Sequence, residues 1–306
     1  MRGALAAAAL AAASAAPLRN TENYTFGAYL EEFGKAYGDA DHELRRATFE
    51  ARLAEINAHN REYLDGTHTW YAAVNNFTDW TEEEFKRMKG GKVGRAATEY
   101  NPLADLPMDE PTPSRMDWRE HNVTTKVKNQ GGCGSCWAFS ATEAVESHLA
   151  IATGKLLELA PQTLVNCVRN PSHCGGTGGC EGATMELGFD LVKEHGLALE
   201  ADLPYKGSDD TCTAYRAAVK VLGYVKLPVN DAQALEAAIA TKGPVSITVA
   251  AEWMLYGGGI YKGACSTRGC TLDHGVVAVG YDKAEGYWLV RNSWGESWGE
   301  KGYIRL

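Results

Sequence analysis

Residues Gln130–Ser140 read QGGCGSCWAFS: two cysteines three positions apart, on a glycine-rich turn that runs into helix-forming residues. Cys133 and Cys136 could be ligands of one metal, a redox pair, halves of two different disulfides, or a bridge cysteine beside a nucleophile. The residues that follow begin to separate them. Cys136–Ala152, CWAFSATEAVESHLAIA, is rich in helix formers, and Gly154 behind it is a usual helix stop. Gly134 and Ser135 serve as turn and cap, so Cys136 opens the helix, where free N–H groups and the macrodipole favour a thiolate. A nucleophilic thiol needs such help, because an ordinary one titrates near about 8.5. Cys133 stays outside that helix. A zinc site would want a second paired cluster, and Cys174 and Cys180, six apart and flanked by glycine, make a poor ligand frame. A thioredoxin-like redox pair would follow a strand of an α/β fold. No metal and no cofactor is therefore expected.

Working outward, the N-terminal MRGALAAAALAAASAAPLRN sets Arg2 ahead of an Ala/Leu run and ends in small residues, the order of a secretory signal peptide cleaved near residue 16. No later segment is long and apolar enough to span a bilayer. With 30 basic and 39 acidic residues, a net charge of -9 and no dense Lys/Arg run, neither nucleic acid nor a membrane is an expected partner. All eight cysteines lie from Cys133 onward, where an oxidising lumen favours disulfides, so two regions of different chemistry follow one another. Sequons at Asn23, Asn76 and Asn122 fit a secreted chain.

From Tyr24 to Asn60, apolar residues recur at helical spacing with a break at YGDAD, which predicts two amphipathic helices. An extended piece, THTWYAAVNNFTD, and a third helix, WTEEEFKRMKG, come next. Gly90–Pro113 is polar and Gly/Pro-containing, a linker open to proteolysis. Ala183–His195 predicts another helix. Beyond Ala217, AVKVLGYVKL, PVSITVA, GVVAVGY, GYWLVRN and KGYIRL read as strands. Helices followed by strands predict an α+β protein of two lobes, with its active site in the cleft between them.

A thiolate needs a base, and His274 begins the strand HGVVAVGY, which turns through DKAEG into GYWLVRN. Pairing Tyr281 with Tyr287 in a hairpin places Asn292 opposite Val276, about one ladder step from His274. An amide there can fix the imidazole's tautomer and orientation, as a carboxylate does in a serine triad.

NQGGCGSCWAFS, LDHGVVAVGY and RNSWGESWGEKGYIRL, in this order, resemble the papain-type, cathepsin L-like cysteine peptidases. His274 follows Cys136 by 138 residues and Asn292 follows it by 156. Upstream, Asp41, Arg45, Phe49, Arg52, Ile56 and Asn60, then Ala73, Asn75, Phe77 and Asp79, resemble the two motifs of that family's inhibitory prosegment, with Asp41, Arg52 and Ala73 departing from the usual residues. The resemblance implies a signal peptide (1–16), an inhibitory helical propeptide (17–112) and a papain-like peptidase domain (113–306) with a helical left lobe and a barrel-like right lobe.

The resemblance further implies Cys136 as nucleophile, His274 as acid and base, Asn292 orienting His274, and the Gln130 amide at the oxyanion. Trp294 would shield the His274–Asn292 bond and Trp298 would line the leaving-group side. Gly182 and Ala183 fall where the family carries two glycines that hold the substrate backbone, and the Ala183 methyl would crowd it. Met185, Thr248 and Gly275 would line an apolar pocket for the second residue before the cut. An endopeptidase is implied, acting on peptide and protein substrates as a monomer, inhibited by its own propeptide, in a lysosome, a vacuole or outside the cell. The alternative is a non-catalytic relative that acts by binding. Disulfides Cys133–Cys180 and Cys167–Cys212 are implied, leaving Cys136 as a thiol. Cys265 with Cys270 is geometrically possible, which leaves Cys174 over. Since the family generally continues past KGYIRL with another strand, a truncated C-terminus is expected.

Overall fold

The computed structural model describes residues 18–90, 111–263 and 270–306. The expected signal peptide and most of the linker, with Cys265, lie outside the described residues. The N-terminal region forms helices α1 (Phe26–Phe33) and α2 (Asp39–Leu64), strand β1 (Trp70–Ala72) and helix α3 (Glu82–Met88). The break between the first two falls at the predicted place: Gly34 closes α1 at φ 62°, a left-handed conformation that glycine adopts without a Cβ penalty. Helix α3 starts with a capping box, in which Thr81 Oγ1 accepts from the Glu84 N–H and Glu84 Oε2 accepts from the Thr81 N–H at 2.8 Å. Arg45 on α2 reaches across to Glu84, with Nη1 2.6 Å from Oε2, tying the long helix to this cap. Phe26, Tyr29 and Phe49 form the small apolar core of this region.

Strand β2 (Arg115–Asp117) opens the second region, followed by helices α4 (Cys136–Thr153), α5 (Pro161–Cys167), α6 (Met185–Glu194) and α7 (Ala232–Thr241). Strands β3 (Val245–Val249), β4 (Tyr256–Gly259), β5 (His274–Asp282), β6 (Tyr287–Arg291) and β7 (Tyr303–Arg305) complete it. Helix α4 is almost wholly buried because it serves both lobes. Its Trp137, Ala141 and Val145 pack with α5 and α6, and its Ser140 Oγ donates to the Val276 carbonyl of β5 at 2.7 Å.

The strands form an antiparallel five-stranded sheet around β5, which pairs with β6 along one edge and with β3 and then β2 along the other. Two expectations need correction here. AVKVLGYVKL is not a strand: only Val219 makes an isolated bridge, to Leu197, and Leu222 and Val225 are exposed. Its β-branched residues raise strand propensity, but with no sheet edge beside them that propensity has nothing to pair with. In the hairpin, Tyr287 lies opposite Asp282, and Tyr281 faces Trp288. A bulge between Ala278 and Gly280 then takes up one residue, so that Val277 pairs with Arg291. The register at the His274 end therefore matches the expected one, although the register at the turn does not.

Strand β1 is antiparallel to β4, with Trp70 opposite Gly259 and Tyr71 opposite Gly258. The N-terminal region is thus stitched to the second region by a two-stranded sheet of its own.

Candidate active site

Cys136 is the first residue of α4 and is fully buried, behind a turn held by the Cys133–Cys180 disulfide and by a Gly134 N–H to Cys180 carbonyl bond of 2.9 Å. A second disulfide joins Cys167 to Cys212, and Cys270 is also disulfide-bonded. His274 begins β5, and its Nε2 lies 2.8 Å from Asn292 Oδ1. That oxygen also accepts the Ser293 N–H at 2.8 Å, which fixes the amide with its oxygen toward the ring. Nδ1 of His274 has no hydrogen-bond partner among the described residues, so it is the nitrogen available to a thiol proton. Gly275, next to His274, directs its backbone N–H at the Cys136 thiol, as does Trp137. Trp294 lies over the imidazole with ring centroids 4.9 Å apart, and Trp298 stands edge-on to Trp294 at 4.9 Å.

Gln130 is fully buried, and its amide is locked from both ends. Ser293 Oγ donates to its Oε1 at 2.6 Å, which leaves Nε2 pointing outward to donate. Nε2 gives one bond to the Cys133 carbonyl at 2.9 Å and one to the Met88 carbonyl of the N-terminal region at 2.8 Å. Tyr205 OH supports the same loop, donating to the Gln130 carbonyl at 2.8 Å and lying 2.7 Å from Ser135 Oγ. Neither Ser293 nor Tyr205 was flagged by sequence reasoning. Ser293 follows Asn292 directly, and that adjacency was the available sign.

Met185, Thr248 and Gly275 come together as a group. Thr248 pairs with Gly275 across β3 and β5, and a Cβ at Gly275 would lie 3.2 Å from Met185 Sδ. Gly182 and Ala183 form the opposite lip of the turn. Gly182 has φ 91°, and a Cβ there would lie 2.3 Å from the Gly90 carbonyl oxygen. The Ala183 side chain is fully buried in this covered state and packs in the cluster that holds Trp137 and Met185.

The N-terminal region crosses this centre. After Met88 meets Gln130, Lys89 Nζ pairs with Asp273 Oδ2 at 2.7 Å and donates to the Ala251 carbonyl at 3.1 Å. Gly90 then packs against Gly134 so closely that a Cβ would lie 1.8 Å from the Gly134 oxygen, and its N–H points at the Cys136 thiol. Behind the crossing, Asn75 Nδ2 donates to the Met254 carbonyl at 2.9 Å, and Phe77, Phe85 and Met88 join Trp253, Trp294 and Trp298 in one apolar cluster.

This cover changes the electrostatics expected from the helix N-terminus alone. Burial pushes the Cys136 thiol up to about 11, against the pull of the Gly275, Gly90 and Trp137 N–H groups. Burial likewise pushes the His274 imidazole down to about 4, with Asn292 and Asp273 opposing it. In the covered state burial thus opposes ionisation of both groups, against the thiolate that the helix N-terminus alone favours. Among the described residues no group of His, Cys, Asp and Glu side chains could hold a metal ion, and no helix is long and apolar enough to cross a membrane.

Residues 112–306 match the family model of papain family cysteine proteases, and residues 26–85 match that of the cathepsin propeptide inhibitor domain. A cathepsin L-like proteinase of Phaedon cochleariae is 41% identical over 273 residues, covering 87% of this chain and 82% of that protein. Procathepsin L of Mus musculus is 40% identical over 292 residues, covering 89% and 83%. Among solved structures, digestive procathepsin L 3 from the larval midgut of Tenebrio molitor superposes with a TM-score of 0.81 at 32% identity, covering 91% of each chain. A recombinant stem bromelain precursor gives 0.79 at 32% identity, covering 92% and 90%.

Proposed function

This chain belongs to the papain family and is a cysteine endopeptidase made as a zymogen with an intramolecular propeptide inhibitor, and on that premise we propose how its residues divide the work. Cys136 Sγ attacks the peptide carbonyl and forms a thioester, the peptide nitrogen leaving as an amine that takes its proton from His274 Nδ1. His274 then draws a proton from water, which attacks the thioester and releases the acid and the free thiol. Asn292 holds the imidazole through Nε2, so that only Nδ1 can serve the thiol. The Gln130 Nε2–H and the Cys136 backbone N–H stabilise the oxyanion. The observation that carries this reading is the Met88 carbonyl bound by Gln130 Nε2 at 2.8 Å: a peptide carbonyl already sits on the donor that the oxyanion would use.

The acyl side of the substrate runs along Gly182 and Ala183, with its second residue before the cut over Met185, Thr248 and Gly275. The apolar character of that group favours an apolar side chain. The boundary between propeptide and peptidase falls in the linker before residue 113. The enzyme follows the secretory route to a lysosome, a vacuole or the exterior and works as a monomer.

Expression of the chain, acid treatment with a thiol present, and assay on a peptide with an apolar residue two before the cut test this reading. Activity that is abolished by a thiol-directed epoxide and by Cys136→Ala, with the N-terminus of the processed form falling before residue 113, is the expected result. Retention of activity in Cys136→Ala would overturn it.

A further inference from the structure

The three sequons occupy different surroundings in the folded chain. Asn23 is exposed in the turn before α1, whose N-cap is Thr25. Asn76 is half-buried where the two regions meet, between Asn75, which donates to the Met254 carbonyl at 2.9 Å, and Phe77, edge-on to Trp294 at 5.5 Å. Both belong to the propeptide and leave with it. Asn122 is the only asparagine in residues 113–306 with an acceptor motif, because Asn170-Pro171-Ser172 is barred by its proline.

Asn122 closes a short 3-10 turn, Trp118–His121, at φ 55° and ψ 36°. The turn is fastened from several sides. Trp118 Nε1 donates to the Ile239 carbonyl at the end of α7 at 2.8 Å, and Arg119 Nη2 pairs with Asp117 Oδ2 at 2.7 Å. Val123 is buried, and the Thr124 hydroxyl is directed at that of Tyr303. Glu120, His121 and Asn122 stay exposed, and the Asn122 side-chain amide has no hydrogen-bond partner among the described residues. Asp117, at the head of the turn, pairs with Gly280, whereas His274 opens the same strand about 20 Å away at a strand's rise per residue. A bulky group on this turn is thus rooted well away from the catalytic pair.

We propose that Asn122 is an N-glycosylation site and carries the glycan that the mature enzyme keeps, a proposal that rests on the secretory route given above. Asn122 Nδ2 attacks C1 of the first sugar of a lipid-pyrophosphate-linked oligosaccharide. The N–C1 bond forms, the bond from C1 to the pyrophosphate oxygen breaks, the lipid pyrophosphate leaves, and the nitrogen loses one proton. Thr124 supplies the hydroxyl that the acceptor motif requires. An exposed, unpaired amide on a fastened turn holds a large polar substituent in water without breaking a contact. Asparagine also suits a left-handed backbone position in its own right. The two roles are separable, since glycine serves the backbone and not the transfer.

The test expresses the full chain in a eukaryotic secretory host and treats the processed enzyme with peptide N-glycosidase, which converts a glycosylated Asn to Asp. The expected result is a downward gel shift of the peptidase, with conversion of Asn122 read by peptide mass spectrometry. Asn122→Gly and Thr124→Val each abolish the shift, Thr124→Ser keeps it, and Asn122→Gly leaves kcat/KM on a short peptide unchanged. A bare Asn122 in a chain that has entered the lumen and lost its signal peptide overturns the proposal alone. A shift that persists in Asn122→Gly also overturns it, by placing the glycan elsewhere. A chain that stays in the cytosol with its leader intact overturns both the proposal and the secretory route.

Discussion

Gln130 donates from its side-chain amide to the carbonyl oxygen of Met88 at 2.8 Å, so the inhibitory segment occupies the donor that we propose for the oxyanion. The donor is preorganised: Ser293 holds the other end of the amide at 2.6 Å, and Tyr205 holds the backbone behind it. A donor fixed in this way costs no reorganisation when charge develops on the substrate oxygen. Gln130→Ala should lower kcat of the activated enzyme by about 100-fold or more, with KM changed far less. Steady-state kinetics on one peptide check this, and an equal change confined to KM would contradict it.

Lys89 and Asp273 form a largely buried pair immediately beside His274. Removing one partner leaves the other charge buried and unpaired, a larger penalty than loss of the bond itself. Lys89→Ala should therefore loosen the propeptide and raise the rate of acid processing of the full zymogen by about tenfold, an effect of about 1.4 kcal/mol. The time course of processing by gel, wild type beside variant at one pH, gives the answer. An identical time course would show that the pair does not hold the segment down.

Burial of the covered Cys136 and His274 pair has a direct chemical readout. With the thiol pushed up to about 11 and the imidazole down to about 4, alkylation of Cys136 in the intact zymogen should be slow at pH 7 and still rising at pH 9. After the propeptide is removed, water returns to the pair and the helix N-terminus favours the thiolate. Alkylation by iodoacetamide should then be fast already near pH 6. A zymogen that alkylates as fast as the mature enzyme at pH 6 would argue against burial as the controlling effect.

The carboxyl of Glu84 is held down from 4.5 to about 2 chiefly by the hydrogen bond from Arg45, which links the propeptide's stability to acid. Since the folded value lies below the unfolded one, the Arg45–Glu84 contact contributes its full stability above about pH 4.5 and loses it as pH falls toward 2. Processing of the wild-type zymogen should accordingly steepen below pH 4.5. Glu84→Gln should process faster than wild type at pH 5 and depend less on pH between 4.5 and 2. Rates measured across that range decide it, and parallel profiles would assign the acid response to other groups.

Much of the site was legible in the sequence because its chemistry is local. Cys136 heads a helix because Gly134 and Ser135 precede a run of helix formers, and Gly154 ends that helix at φ 71°. His274 and Asn292 lie on neighbouring strands of one hairpin, so short-range pairing brings them close. Even there the hairpin pairs one residue away from the simple register at its turn, and the bulge between Ala278 and Gly280 restores that register before the site. The segment from Ala217 onward read as a strand from its β-branched residues and is not one, since a strand needs an edge to pair with and residue types do not supply it.

The sequence by itself pointed to Cys136, His274, Asn292 and Gln130 as the proposed catalytic group, and to a cysteine-free stretch followed by one that carries all eight cysteines. Tertiary structure alone decided what faces these groups: the Met88 carbonyl on Gln130, Lys89 on Asp273, Ser293 behind the amide, and Trp253 against His274. The reason lies in chain separation. Contacts within a turn or a hairpin are set by local spacing, whereas Met88 and Gln130, or Lys89 and Asp273, meet only when two separately folded regions close on one another. That closure also works against the thiolate that the helix N-terminus favours, because burial of the Cys136 thiol pushes its pKa up.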